Sequence, residues 1–143
     1  MRLWHEALLP LLPRAQLLGQ HRECCALRGL SWGKRHSVVD YVFTHEPEYL
    51  ILYHERVMDE MQRRGYRVDP HWRDAAYRGK RCAAYTASYP LLQALDACVP
   101  VYVEHDGLYL EACVENLRGK GVALNVVKLF TSGAKPVENT REL

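Results

Sequence analysis

Apolar residues recur at helical spacing through the middle of the chain. Leu50, Tyr53, Val57 and Met61 fall three or four positions apart, which puts them on one stripe of a helix. Thr44 and Pro47 mark its start and Gly65 its end. Such a stripe is a core face rather than a binding groove. An earlier helix is predicted from about Arg14 to Leu27, because RAQLLGQHRECCAL holds no proline and Gly29 suits a C-terminal cap. SWGKRH then reads as a glycine-hinged loop with a basic tip. SVVDYVF, β-branched and aromatic, favours a strand, with a short buried helix as the alternative. RVDPHWRDAAYRGKRCAAY is polar, basic and aromatic, with turn signals. SYPLLQALDACV predicts a short helix. HDGLYLEACVENLRGKG predicts another, with Leu108, Cys113 and Leu117 on or near one face and Gly119 near its end. GVALNVVKLF reads as a short strand or buried extended piece, and residues 131–143 as a polar, frayed tail. The expected fold class is all-α: one domain over residues 1–143, with three to four helices and long connections.

Composition leaves that picture in place. A chain of 143 residues can bury a core without disulfide staples, and 48% hydrophobic with 25% charged residues is ordinary for a soluble domain. No apolar run reaches the roughly 18 residues of a membrane span. Pro10, Pro13 and Arg14 interrupt the apolar stretch a secretory signal needs. A cytoplasmic monomer without membrane contact is expected. Five cysteines without framework spacing imply reduced thiols, and adjacent Cys24 and Cys25 read as small core residues.

Charge changes the picture more. The net value is only +2, but it is unevenly spread. Residues 1–36 carry six Arg/Lys against two acids, residues 37–62 one against six, and residues 63–81 seven against two. Two basic blocks that met in space would suit a polyanion. Solvated loops and helix ends account for the same distribution equally well.

Candidate chemistry begins with LLGQHRECC, residues 17–25. On a helix, Gln16, Gln20, Glu23 and Leu27 follow one course. Gly19, one turn before Glu23, costs about 1 kcal/mol against alanine, which a close approach by another segment would explain. Arg22 and His21 flank Glu23 and would position an anion beside it. An exposed Arg–Glu pair is the plainer account. At the other end of this region, MRLW supplies a possible nucleophile. Arg2 after Met1 disfavours removal of the methionine, so the chain is expected to begin with a free α-amine once deformylated. Such an amine titrates near 7.7–8.0 and is partly neutral at physiological pH. Amines attack sugar and carbonyl carbons to give Schiff bases. Leu3 and Trp4 are apolar enough to anchor the terminus, or merely to tie down a chain end.

MRLW, LPRAQLLGQHRE and the basic WGKRH loop together resemble the bacterial branch of the pyrimidine-dimer DNA glycosylases, relatives of the phage endonuclease V. The resemblance covers roughly the first third of the chain and extends less clearly through Trp72 and Tyr77 to Arg81. It implies a compact all-α domain, with the N-terminal segment passing between helices. It implies the Met1 amine as nucleophile and Glu23 as the catalytic carboxylate. Arg2, Arg22, Lys34 and Arg35, together with Arg78, Lys80 and Arg81, would contact DNA, with His21 a looser match. It implies lesion-bearing double-stranded DNA as partner, a nucleoid location and no cofactor. The chain departs from the phage pattern in using Met1 itself and in lacking the aromatic C-terminal stretch. The segment from Cys82 onward lies outside the resemblance.

Two other readings stay open. His5, His21, Glu23, His36, His45, His54, His71 and His105 offer metal ligands for a hydrolase, though without HExxH or paired CxxC spacing, and no metal is assigned. The basic blocks with Trp32, Trp72 and Tyr77 would also suit a non-catalytic nucleic-acid-binding module.

Overall fold

The structure, a computed structural model, describes residues 2–29 and 39–125. Met1, the SWGKRH loop with Trp32, Lys34 and Arg35, and the expected tail lie outside the described residues. Among the described residues the fold is all-α: α1 Arg14–Arg28, α2 Pro47–Arg63, α3 Tyr89–Asp96 and α4 Gly107–Gly119, with 3-10 helices at Glu6–Leu11, Asp40–Thr44 and Pro70–Arg73.

The helix ends follow their sequence signals. Pro47 opens α2, where its missing N–H has no intrahelical partner to lose. Asp106 caps α4 by accepting from the Tyr109 N–H at 2.8 Å. α2 closes on Gly65, at φ +84°: the Tyr66 N–H reaches Met61 O and the Gly65 N–H reaches Gln62 O. α4 closes in the same way, but on Gly121 at φ +85° rather than on Gly119, its last helical residue. That closure fixes Lys120 as the C-cap residue.

Leu50, Tyr53, Val57 and Met61 are buried, as their spacing predicts. They pack with Leu17, Cys24 and Leu27 of α1, with Leu3, Trp4, Leu8 and Leu12 of the N-terminal segment, and with Cys113 and Leu117 of α4. Leu108 is 78% exposed and leaves the expected α4 face, being five residues from Cys113 rather than three or four. Leu52, Leu95 and Val101 form a smaller cluster under α3.

The strand preference of SVVDYVF is not realised. Asp40–Thr44 is a 3-10 helix in which the Val42 N–H returns to Val39 O. β-branched residues make a strand only beside another extended segment, and the described residues offer none. Residues 122–125 are likewise irregular.

Arg28, buried in the last turn of α1, ties this helix to the segment after α2. Its guanidinium donates to Trp72 O, Asp74 O and Tyr77 O at 2.9–3.0 Å and lies over the Trp72 ring. Arg78 returns the connection by donating to Arg28 O and Gly29 O, carbonyls that the end of α1 leaves open.

Candidate functional site

The N-terminal segment lies against α1 with its main chain held by side chains. The Arg2 N–H donates to Glu23 Oε2 at 3.3 Å. One turn earlier on α1, fully buried Gln20 donates from Nε2 to Arg2 O at 3.1 Å and accepts the Trp4 N–H at Oε1 at 2.6 Å. The Tyr109 hydroxyl donates to Leu3 O at 2.5 Å, and the Tyr53 hydroxyl to Trp4 O at 2.6 Å. Leu3, at 0% exposure, and Trp4, at 5%, anchor the segment in the core.

Glu23 is half-buried, and its environment sets its chemistry. Burial raises its pKa above the usual carboxylate value. The Arg2 N–H pulls the other way, as do the positive charges of the amino terminus, Lys120 and Arg22. A carboxyl whose pKa is raised holds a proton to higher pH than an exposed one, which suits proton transfer. Lys120 and the Arg2 guanidinium are also stacked on rings: Arg2 lies 5.7 Å over the Tyr109 ring and 5.9 Å over the Trp4 ring, and Lys120 lies 5.5 Å over Trp4. α1, the N-terminal segment and the end of α4 therefore meet around one carboxylate flanked by positive charge.

Residues 1–74, just over half of the chain, match the family described as pyrimidine dimer DNA glycosylase. The chain belongs to that family. No curated protein and no solved structure matches it significantly. The pyrimidine dimer glycosylase family repairs DNA, so DNA is the partner class. No helix among the described residues is long and apolar enough to cross a membrane.

The candidate residues separate by position in the family chain. Arg2, Arg22 and Glu23 come together, with Arg22 exposed. Lys80 and Arg81 are exposed on the segment after α2. Arg78 is half-buried and engaged with the α1 carbonyls. Arg63 and Arg64 pair with Glu60, and Arg73 with Glu55 and Asp59, so part of the second basic block is matched by the acidic block beside it. Met1, Lys34 and Arg35 lie outside the described residues. Gly19 admits no close neighbour: a Cβ there would meet only Arg22 Nη2, at an ordinary 3.7 Å. The structure therefore does not require glycine at this position for the N-terminal segment to dock.

His21 turns away from Glu23 toward α2, where its Nδ1 lies 2.8 Å from His54 Nε2. With Cys25 these form a group of three residues of metal-ligating type whose ligand atoms lie within 4.8 Å of one another. Arg28 decides how that group is protonated. Its Nη1 donates to His54 Nδ1 at 3.0 Å, so neutral His54 carries its proton on Nε2 and donates it to His21. Coordination through His54 Nε2 would require a proton on Nδ1, facing the guanidinium donors. Burial and Arg28 both hold the His54 pKa well down, and burial pushes the Cys25 thiol up to about 12. The arrangement fits a neutral hydrogen-bonded chain better than a cation site. Cys24 is buried as expected, whereas Cys25 is half-buried in this chain.

Gln20, Tyr53, Tyr109, Lys120 and Arg28 were not among the candidates. The Gln20–Glu23 spacing was visible on α1, but nothing local ties Tyr109 or Lys120 to residues about a hundred positions earlier.

Proposed function

We propose that this chain is a DNA glycosylase with AP lyase activity, whose N-terminal amine is the nucleophile and whose Glu23 handles protons. It would act on pyrimidine dimers or related lesions in double-stranded DNA, as a cytoplasmic monomer at the nucleoid. The observation that carries this is the hydrogen bond from the Arg2 main-chain nitrogen to Glu23. An α-amine lies within about 3.7 Å of the next residue's nitrogen whatever the backbone angles. An amine on Met1 is therefore tethered within about 7 Å of Glu23.

The chemistry follows from that pairing. The neutral amine attacks C1′ of the damaged nucleotide. The glycosyl bond breaks and its electron pair leaves with the base. The nitrogen now bonded to C1′ gives a proton to the Glu23 carboxylate, which passes it to O4′ as the C1′–O4′ bond opens, leaving the iminium and restoring the carboxylate. The Glu23 carboxylate then takes a proton from C2′. The 3′ C–O bond breaks and phosphate leaves. Carboxylate charge beside the iminium stabilises it in a partly buried setting. Arg2, Arg22 and Lys120 would meet backbone phosphates, and exposed Lys80 and Arg81 would extend that contact. Making a damaged nucleotide accessible costs a few kcal/mol, less than for an intact pair.

The test is borohydride trapping on UV-irradiated and on abasic duplex DNA, with the adduct located by peptide mass. An adduct on the Met1 amine, lost when the terminus is blocked, is the expected result. Salt-sensitive binding without adduct or strand cleavage would instead mark a binding module.

A further inference from the structure

We infer that Gln20 is a positioning residue that sets the register of the N-terminal segment, and so decides which backbone atom meets Glu23. This rests on the functional reading above and adds a residue to it. The side-chain amide of Gln20 bonds Arg2 O and Trp4 N, the two groups that flank Leu3. That is the pattern by which one residue of a parallel strand reads its neighbour, here supplied by a side chain. Only one amide orientation works, because the flipped form sets NH2 against the Trp4 N–H and oxygen against the Arg2 carbonyl.

The site has no freedom to slip. Gln20 is 0% exposed, so water does not replace a lost partner. The Tyr53 hydroxyl lies 2.6 Å from Trp4 O and 2.9 Å from Gln20 Oε1, bracing the amide against the same residue it holds. Gln20 and Glu23 are three residues apart on α1, on neighbouring positions of one face, while Arg2 O and Arg2 N belong to one residue. Gln20 therefore holds Arg2 by its carbonyl so that its nitrogen faces Glu23. A slip by one residue would reverse the inward side chain, exposing Leu3 and moving the terminus about 3.3 Å along the segment.

The experiment is single-turnover cleavage of abasic duplex by the full chain, with the rate followed against enzyme concentration, and amide hydrogen exchange at Trp4. In Gln20→Met the plateau rate should fall at least tenfold, while the half-saturating concentration stays within twofold. The Trp4 amide should exchange at least tenfold faster. Leu95→Ala, in the separate cluster under α3, serves as a destabilised control and should keep its plateau rate. Should Gln20→Met fail to fold, Tyr53→Phe removes the brace and should give the same split in weaker form. An adduct with the native chain and an unchanged plateau in the Gln20 or Tyr53 variant overturns the inference. So does an equal loss in Leu95→Ala. Absence of any adduct with the native chain removes the functional reading and this inference with it, and the native result alone distinguishes that failure.

Discussion

Arg2 gives its main-chain N–H to Oε2 of Glu23 at 3.3 Å, so the N-terminal segment ends on a half-buried carboxylate. A buried carboxylate whose pKa is raised opposes folding at neutral pH, because the unfolded chain leaves it ionised and solvated.

Replacing Glu23 by Gln should therefore stabilise the protein at pH 7 while abolishing the proposed lyase activity. The stability contributed by a raised carboxyl is fully present below its unfolded pKa, near 4.3, and lost as pH rises through the folded value. The variant should melt above the native chain at pH 7, and the difference should shrink as pH falls into the carboxylate range. Trapping should fall about 10²–10⁴-fold, the usual contribution of acid–base catalysis. Equal melting temperatures at pH 7 would show that the carboxylate carries no folding penalty.

Gly19→Ala should raise stability by up to about 1 kcal/mol. The added methyl meets only the flexible end of Arg22 at 3.7 Å. Urea unfolding measures the gain. Trapping should be unchanged if DNA does not press on this turn, and a weaker half-saturation with normal stability would show that it does.

The helices and most of the core were legible because local periodicity and caps determined them. The α2 stripe and the glycine after it behave as their spacing requires, whereas Glu23 beside the N-terminal segment came only as what the family resemblance implies. The 3-10 helix at Asp40–Thr44 was legible only as the alternative to a strand, since strand propensity says nothing about whether a partner strand exists. Lys120 comes near the carboxylate where α4 closes on Gly121, and Tyr109, in the first turn of α4, reaches Leu3 O, tertiary placements that no local pattern encodes. Arg28 looked like an ordinary basic residue at a helix end; its burial follows from three carbonyls on a segment some fifty residues away.

Arg28→Met should cost about 1–3 kcal/mol, since it leaves the part-buried carbonyls of Trp72, Asp74 and Tyr77 without their donor. Arg28→Lys should recover little, having no planar fork to span Trp72 O, Asp74 O and Tyr77 O together. Denaturant midpoints check both. A loss below 1 kcal/mol would mean that water satisfies those carbonyls.

Stability should fall as pH drops below about 6.5. Burial lowers the pKa of His5, His21, His54 and His105, that of His105 to about 3. Between the unfolded value near 6.5 and the folded one, the unfolded state binds the extra proton, so stability rises with pH in that window. Each histidine held neutral contributes a slope of up to about 1.4 kcal/mol per pH unit. His105→Gln, which can still accept from the Glu6 N–H, should remove about one such slope between pH 6 and pH 4 in urea titrations. An unchanged slope would mean that His105 is not kept neutral.

Lys120→Met tests whether the end of α4 belongs to the site. Lys120 lowers the pKa of Glu23, so its removal should raise that pKa further. In the proposed mechanism the proton transfers start from the Glu23 carboxylate, so the rate falls as Glu23 protonates. The acidic limb of the single-turnover pH profile should therefore move to higher pH in the variant, with the plateau rate at high pH retained. If Lys120 also meets a phosphate, the slope of log affinity against log salt should drop by about 0.9. A pH limb that stays in place, with folding intact, would separate α4 from the chemistry and leave its lysine as a solvated cap over Trp4.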